Sequence, residues 1–144
     1  MNIFGWLWDG TTWVKAKADS DGHLQVDVPS DVFITYAEKI ENLNTPANEN
    51  SLFSTTVPSG QIYVVTQMEA HDVQTNLPMI IISLFDGESG YPIAMTFLPG
   101  ANVPFFYTGN IVLSAGYSLV AGFVGCTEGD WIYFYVIGYK RTIT

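Results

Sequence analysis

The chain has 144 residues, a net charge of −9 and only 13 % charged residues, about half the usual share of about 25 %. Its five basic residues, Lys15, Lys17, Lys39, Lys140 and Arg141, leave none between Lys39 and Lys140. No basic patch can form in the main body, which excludes nucleic acid and anionic membrane surfaces as partners.

The N-terminus, MNIFGWLWDG, has neither a basic leader nor a long apolar run and does not read as a secretory signal. Phe4, Trp6, Trp8 and Trp13 concentrate large aromatics near this end. They suit either packing on the chain's own core or an anchor in an interface, where Trp is favoured. Thr11–Lys17 and His23–Val28 read as two strands joined by the turn residues of "ADSDG". In the second strand Leu24, Val26 and Val28 alternate with polar residues, which gives one apolar face. A lone hairpin is marginal in water, so this one needs something to dock on.

Residues 29–50 change character. Asp31–Asn42 suits a short helix with Ser30 or Asp31 as cap and Phe33, Ala37 and Ile40 as a weak stripe. "NTPANEN" reads as loop, and the whole segment as a linker or arm.

From Ser51 onward strands and turns alternate. The expected strands are 52–57, 61–71, 79–86, 91–98, 103–107, 110–114, 117–125 and 131–139, with Gly, Pro and Asp marking the turns. Eight short strands of this kind predict an all-β protein, a jelly-roll sandwich at 51–144 preceded by the N-terminal β-hairpin at 1–28 and the arm at 29–50. No charged residue occurs between Glu88 and Glu128. A membrane helix needs about 20 apolar residues without frequent breakers. Here Pro92, Pro99, Gly100, Pro104, Gly109, Gly116, Gly122 and Gly125 cut the run into strand lengths, so the membrane reading is set aside.

The last two strands are apolar on both sides. Leu119, Ala121 and Phe123 share one face with Tyr117, while Val120, Gly122 and Val124 lie opposite with Ser118. Trp131, Tyr133, Tyr135 and Ile137 likewise stand opposite Ile132, Phe134 and Val136. One face can enter the core; the other calls for cover by a neighbouring subunit or by the N-terminal part. Tyr117, Trp131, Tyr133 and Tyr135 are therefore the candidate subunit interface.

Two patterns together resemble small virion proteins of tailed bacteriophages. One is "GWLWDGTTWVKAKADSDGHLQVDV". The other is "TTVPSGQIYVVTQMEAHD", followed later by "NIVLSAGYSLVAGFVGCTEGDWIYFYVIGYK". The resemblance spans residues 5–28 and 55–140 through short motifs, the strongest being Leu113-Ser-Ala-Gly116, Gly129-Asp130 and Gly138-Tyr139. Tyr117 stands where that pattern usually has Asp, and residues 29–50 match nothing in it. The resemblance implies a short N-terminal β-anchor and a C-terminal jelly roll that trimerises. The role it implies is capsid decoration (cement), with neck, tail or head-fibre attachment as the alternative. The implied partners are a homotrimer's own copies and the major capsid protein or another virion protein. The location it implies is the capsid or tail surface of a virion made in the host cytoplasm. Phe4, Trp6, Trp8 and Trp13 are the candidate attachment residues.

The polar inventory offers no catalytic set, so the chain does not read as an enzyme. His71 and Asp72, as strand neighbours, point to opposite faces, and no Gly-x-Ser-x-Gly elbow is present. Asp86, Glu88, Glu128 and Asp130 sit at turns without calcium-loop spacing. Cys126 is alone, lacks a zinc spacing, and reads as a small buried apolar residue. No metal and no cofactor are expected. A glycan is the ligand of the alternative reading, with Tyr91, Phe105, Phe106 and Tyr107 as aromatics that could meet a sugar.

Overall fold

The computed structural model describes residues 33–143 in full and, before them, the backbone of residues 4–8, 13–18 and 24–26. The chain divides into two units, Met1–Val32 and Phe33–Thr144.

In the first unit β1 (Phe4–Trp8), β2 (Trp13–Ala18) and β3 (Leu24–Val26) form a three-stranded antiparallel sheet in that order. The expected hairpin is present as β2 and β3, with Lys17 opposite Gln25. The third strand, β1, is an addition to it and places Trp8 opposite Trp13 in register. The "DSDG" turn and His23 lie outside the described residues.

The second unit holds β4 (Ile34–Asn42), β5 (Asn48–Phe53), β6 (Gln61–Asp72), β7 (Met79–Phe85), β8 (Gly90–Phe97), β9 (Phe105–Leu113), β10 (Ser118–Cys126) and β11 (Ile132–Thr142). The first of these pairs with the last, the second with the seventh, the third with the sixth and the fourth with the fifth. That nested pairing is one long antiparallel hairpin rolled up on itself. The ladders β6–β11 and β7–β10 then fuse the pairs into two sheets, β4-β11-β6-β9 and β5-β10-β7-β8. The fold is the expected jelly-roll sandwich.

Two assignments change. The helix expected over 31–42 is strand β4, bonded to β11 from Asn42 to Ile34, and the supposed linker is thus mostly β4 and the start of β5. The burial of β4 has period two: Tyr36 faces in and Thr35 and Ala37 face out. The ladder offered by β11 outweighs a weak helical stripe. The separate strands expected at 103–107 and 110–114 are the single strand β9. Gly109 does not turn there; it is a flat spot, where an added β-carbon would lie 2.9 Å from the Tyr107 hydroxyl that covers it. The strand total of eight is kept by this exchange.

The core lies between the sheets. Leu119, Ala121 and Phe123 of β10 and Ile132, Phe134 and Val136 of β11 are fully buried, as are Met68, Ile80 and Ile82. Of the two apolar faces on each strand, the one with Leu119, Ala121 and Phe123 and the one with Ile132, Phe134 and Val136 turn inward. The β10 face that Tyr117 shares by alternation is therefore the core face and not a subunit interface. A bulge lets β11 follow β6 past Ile137 and Gly138. There the backbones approach so closely that a β-carbon on Gly138 would stand 2.0 Å from the Val64 carbonyl oxygen, so only glycine fits. No helix among the described residues is long and apolar enough to cross a membrane.

Candidate functional surfaces

With the core filled, alternation sends the remaining side chains to two outer faces. On β5-β10-β7-β8 the outward positions include Phe53, Val120, Val124, Met79, Ile81, Phe85, Met95 and Phe97. Ser51, Ser83, Gly122 and Pro92 complete the face, and Glu49 at one corner is its only acidic or basic residue. Phe97 is 67 % exposed, Phe53 49 % and Met95 47 %. The Phe53 and Phe85 rings meet edge to face at 5.2 Å across β10. Scattered exposed apolar residues are ordinary, but a continuous sheet face of them marks a contact surface.

The outer face of β4-β11-β6-β9 is different. Tyr133 and Tyr135 stack at 6.2 Å along β11, and His71 of β6 stacks on Tyr133 at 5.2 Å. The Lys39 ammonium sits 5.1 Å from the Tyr133 ring centre, and it pairs with Glu41 at 2.6 Å. Glu69 Oε1 lies 3.1 Å from His71 Nδ1. Further along, Phe33, Val64 and Tyr139 line an apolar depression of about 410 Å³.

At the open edge of the sandwich, Glu38 of β4 accepts the Thr55 N–H at 3.0 Å and the Thr55 hydroxyl at 3.0 Å. It also accepts the Tyr36 hydroxyl. Burial first, and Glu38 second, push the Tyr36 phenol well above its ordinary pKa. This carboxylate ties the segment after β5 to the other sheet, where β4 and β5 are both edge strands.

The four interface candidates do not form one surface. Tyr133 and Tyr135 stand together, half-buried, and Trp131 precedes them on the same strand face. Tyr117 is at the opposite end of β10, beside a pocket of about 200 Å³ shared with Leu84, Val112 and Ser114. The face with least charge is on the other sheet, and the alternation at Ser118, Val120, Gly122 and Val124 was its trace in the sequence. Side chains of the attachment candidates Phe4, Trp6, Trp8 and Trp13 lie outside the described residues. Of the aromatics considered for sugar, Phe105 and Tyr107 pack on the core. Phe106 and Tyr91 are exposed on different sheets, and the Tyr91 hydroxyl donates to Asp86 at 3.1 Å.

One polar cluster was not foreseen. Asp72 ends β6, Cys126 ends β10, and Asp130 precedes β11; all three are buried. Their ligand atoms lie within 4.8 Å of one another. Asp72 Oδ1 accepts the N–H groups of Gln74 at 2.7 Å and Thr75 at 2.9 Å. Asp130 accepts the Thr75 hydroxyl at 2.9 Å and the Thr127 N–H at 2.5 Å. Burial raises the Asp72 carboxyl above its ordinary pKa against the pull of those donors, and the nearby Asp130 charge adds to the rise. Burial also pushes the Cys126 thiol up to about 11. No sequence spacing announces this cluster, because the fold joins residues from three separate segments.

Comparison with protein-family profiles and with curated proteins gives no match. Among solved structures the chain is similar to a chain in the structure of infectious bursal disease virus, Gt strain. The TM-score is 0.29 at 12 % identity, over 95 % of this chain and 39 % of that chain. This chain thus spans well under half the length of the viral chain, and a likeness that distant supports no reading of function.

Proposed function

We propose that this chain is a structural protein of a virion, of the tailed-bacteriophage capsid-decoration type. In this reading it is a homotrimer. Each jelly roll meets its neighbours through the outer face of β5-β10-β7-β8. The N-terminal three-stranded unit, with Phe4, Trp6, Trp8 and Trp13, attaches it to the head surface, and the major capsid protein is the partner. It is not an enzyme. The observation that carries the reading is that outer face: a whole sheet surface with one acidic residue at its corner. Such a face is stable in water when a neighbour covers it. The sequence resemblance supplies the virion context.

Native mass spectrometry of the full chain at micromolar concentration tests the assembly, with a trimer expected and a stable monomer contradicting it. Deleting residues 1–28 should abolish co-sedimentation with capsids while the jelly roll stays folded. Undiminished co-sedimentation would remove the anchor role.

A second reading, a neck, tail or fibre component with a carbohydrate-binding jelly roll, is favoured by the Tyr133–Tyr135–His71 stack. Flat aromatic rings flanked by Lys39, Glu41 and Glu69 offer stacking for a sugar face and polar partners for its hydroxyls. A glycan array that finds no ligand for the wild-type protein counts against this reading.

A further inference from the structure

The cluster at the ends of β6 and β10 gathers two carboxyls and a thiol away from water. Asp72, Asp130 and Cys126 are 2 %, 3 % and 4 % exposed. Two carboxylates in one buried site repel each other unless something positive lies between them. The surrounding donors hold Asp72 through Oδ1 only, from Gln74 and Thr75. Asp72 Oδ2 is buried and has no hydrogen-bond partner, and one ligand atom from each of Asp72, Cys126 and Asp130 lies within 4.8 Å of the others.

We propose that Asp72, Cys126 and Asp130 hold one divalent metal ion of the zinc class. Asp72 would bind through Oδ2, Asp130 through a carboxylate oxygen and Cys126 through Sγ. On binding, the thiol proton leaves to solvent and the sulfur coordinates as thiolate. The thiol selects the metal: calcium and magnesium take six or more oxygens, whereas a mixed oxygen and sulfur set suits zinc and its tetrahedral relatives. Three protein ligands leave the fourth position to water.

The supporting shell is in place. The Thr75 hydroxyl donates to Asp130 Oδ1 at 2.9 Å and lies 3.1 Å from the Thr127 hydroxyl. The Thr127 N–H holds Asp130 Oδ2. Thr45, itself buried, bonds the same loop, with its N–H on the Asp130 carbonyl at 3.1 Å and its carbonyl on the Gly129 N–H at 2.8 Å. Outer partners of this kind fix ligand orientation in metal sites. The ion would pin the end of β6, the end of β10 and the loop into β11 to one point. This site is independent of the virion reading.

The test is a Co²⁺ titration of the full chain after chelator treatment, followed by absorption spectroscopy, with Zn²⁺ competition and elemental analysis. One ion per chain is expected, with the visible bands of tetrahedral cobalt and a near-ultraviolet thiolate charge-transfer band. Cys126→Ser should lose that charge-transfer band. Asp72→Asn and Asp130→Asn should each weaken zinc binding by more than the roughly 10–100-fold typical of losing an outer partner. Thr75→Ala, which removes the hydroxyl that donates to the Asp130 carboxylate but no ligand of the ion, should weaken it by roughly 10-fold. A wild-type protein that binds no cobalt overturns the site, and would mean that the two carboxyls share a proton instead. Cobalt binding that survives Cys126→Ser unchanged overturns it as well, by placing the ion elsewhere. The serine variant is close in size to the native residue, so these outcomes remain readable even where an asparagine variant fails to fold.

Discussion

The two outer faces of the sandwich are built from strands of the same length class over the same core, yet they meet solvent in opposite ways. The β4-β11-β6-β9 face carries Lys39, Glu41, Glu69 and His71 around its stacked tyrosines. The β5-β10-β7-β8 face carries Phe53, Ile81, Met95, Phe97 and Val120 with Glu49 alone at a corner. The first face stacks part of its aromatic surface within the protomer, ring on ring with a cation over one of them, while Phe106, Val112, Ile137 and Tyr139 stay exposed beside its charges. The second has no such internal partner beyond the Phe53–Phe85 contact. Low overall charge is thus not spread evenly. It is concentrated on one sheet, whose outer face a neighbouring chain could cover without burying a charge.

The largest effects should come from the core that both faces share. Phe123→Ala lies under the uncharged face and Phe134→Ala under the tyrosine face, and both residues are fully buried. Each should cost about 3–5 kcal/mol in urea denaturation. A much smaller loss at one of them would mean that the two sheets do not contribute equally to one core. Next come the glycines. Gly138→Ala pushes a methyl into the Val64 carbonyl at 2.0 Å and should cost about 1–3 kcal/mol or prevent folding. Gly122→Ala, in the middle of the uncharged face, meets only the Ile81 carbonyl at 3.8 Å. It should leave stability within about 0.5 kcal/mol of wild type, while a change in assembly there would report directly on what covers the face.

The comparison sharpens most when charge is moved onto the bare face. Ile81→Lys or Met95→Lys should turn the assembly into monomer in native mass spectrometry, since a buried unpaired charge costs several kcal/mol at a contact. Tyr135→Lys on the other face should leave the assembly intact. The opposite pattern, with Tyr135→Lys dissociating and Ile81→Lys silent, would return the interface to the tyrosines that the sequence alone suggested.

Most of the sandwich was legible in the sequence because its strands alternate and its turns carry Gly, Pro and Asp. Period two alone separated the two faces of β10 and β11, but not which of them turns inward: Tyr133 and Tyr135 do face out, whereas the β10 face shared with Tyr117 carries the buried Leu119, Ala121 and Phe123. What escaped was set by long-range pairing. β4 has polar and charged residues on its exposed side, and its strand character comes from the β11 ladder rather than from its own composition. Gly109 looked like a turn because only the fold shows Tyr107 lying over it. The two outer faces could be recognised as apolar, but which one carries compensating charge depends on the neighbours of each strand, and those come from distant segments. The Asp72–Cys126–Asp130 cluster is the extreme case: three residues that each have an ordinary local explanation, at a strand end, in a core and in a turn, acquire a joint one only when the rim closes.

The smallest expected effect lies at a corner of the uncharged face, where Asp86 closes the β7–β8 hairpin. Its Oδ1 accepts the Ser89 N–H at 2.7 Å and the Glu88 N–H at 2.9 Å. Those backbone donors, Ser89 foremost, lower its pKa below the ordinary value of 3.8. The sign follows from linkage: a depressed carboxyl contributes its stability in full above that ordinary value and loses it as pH falls through the depressed one. Thermal unfolding from neutral pH downward should therefore be flat in this contribution until the acid end. Asp86→Asn should lower Tm slightly at neutral pH and converge with wild type in strong acid. Because the group is exposed, solvent keeps the difference small. If the two curves run parallel down to the lowest pH, Asp86 contributes through its turn geometry and not through its charge. The corner of the uncharged face would then be held by the turn's hydrogen bonds alone, with the Asp86 charge adding nothing to them.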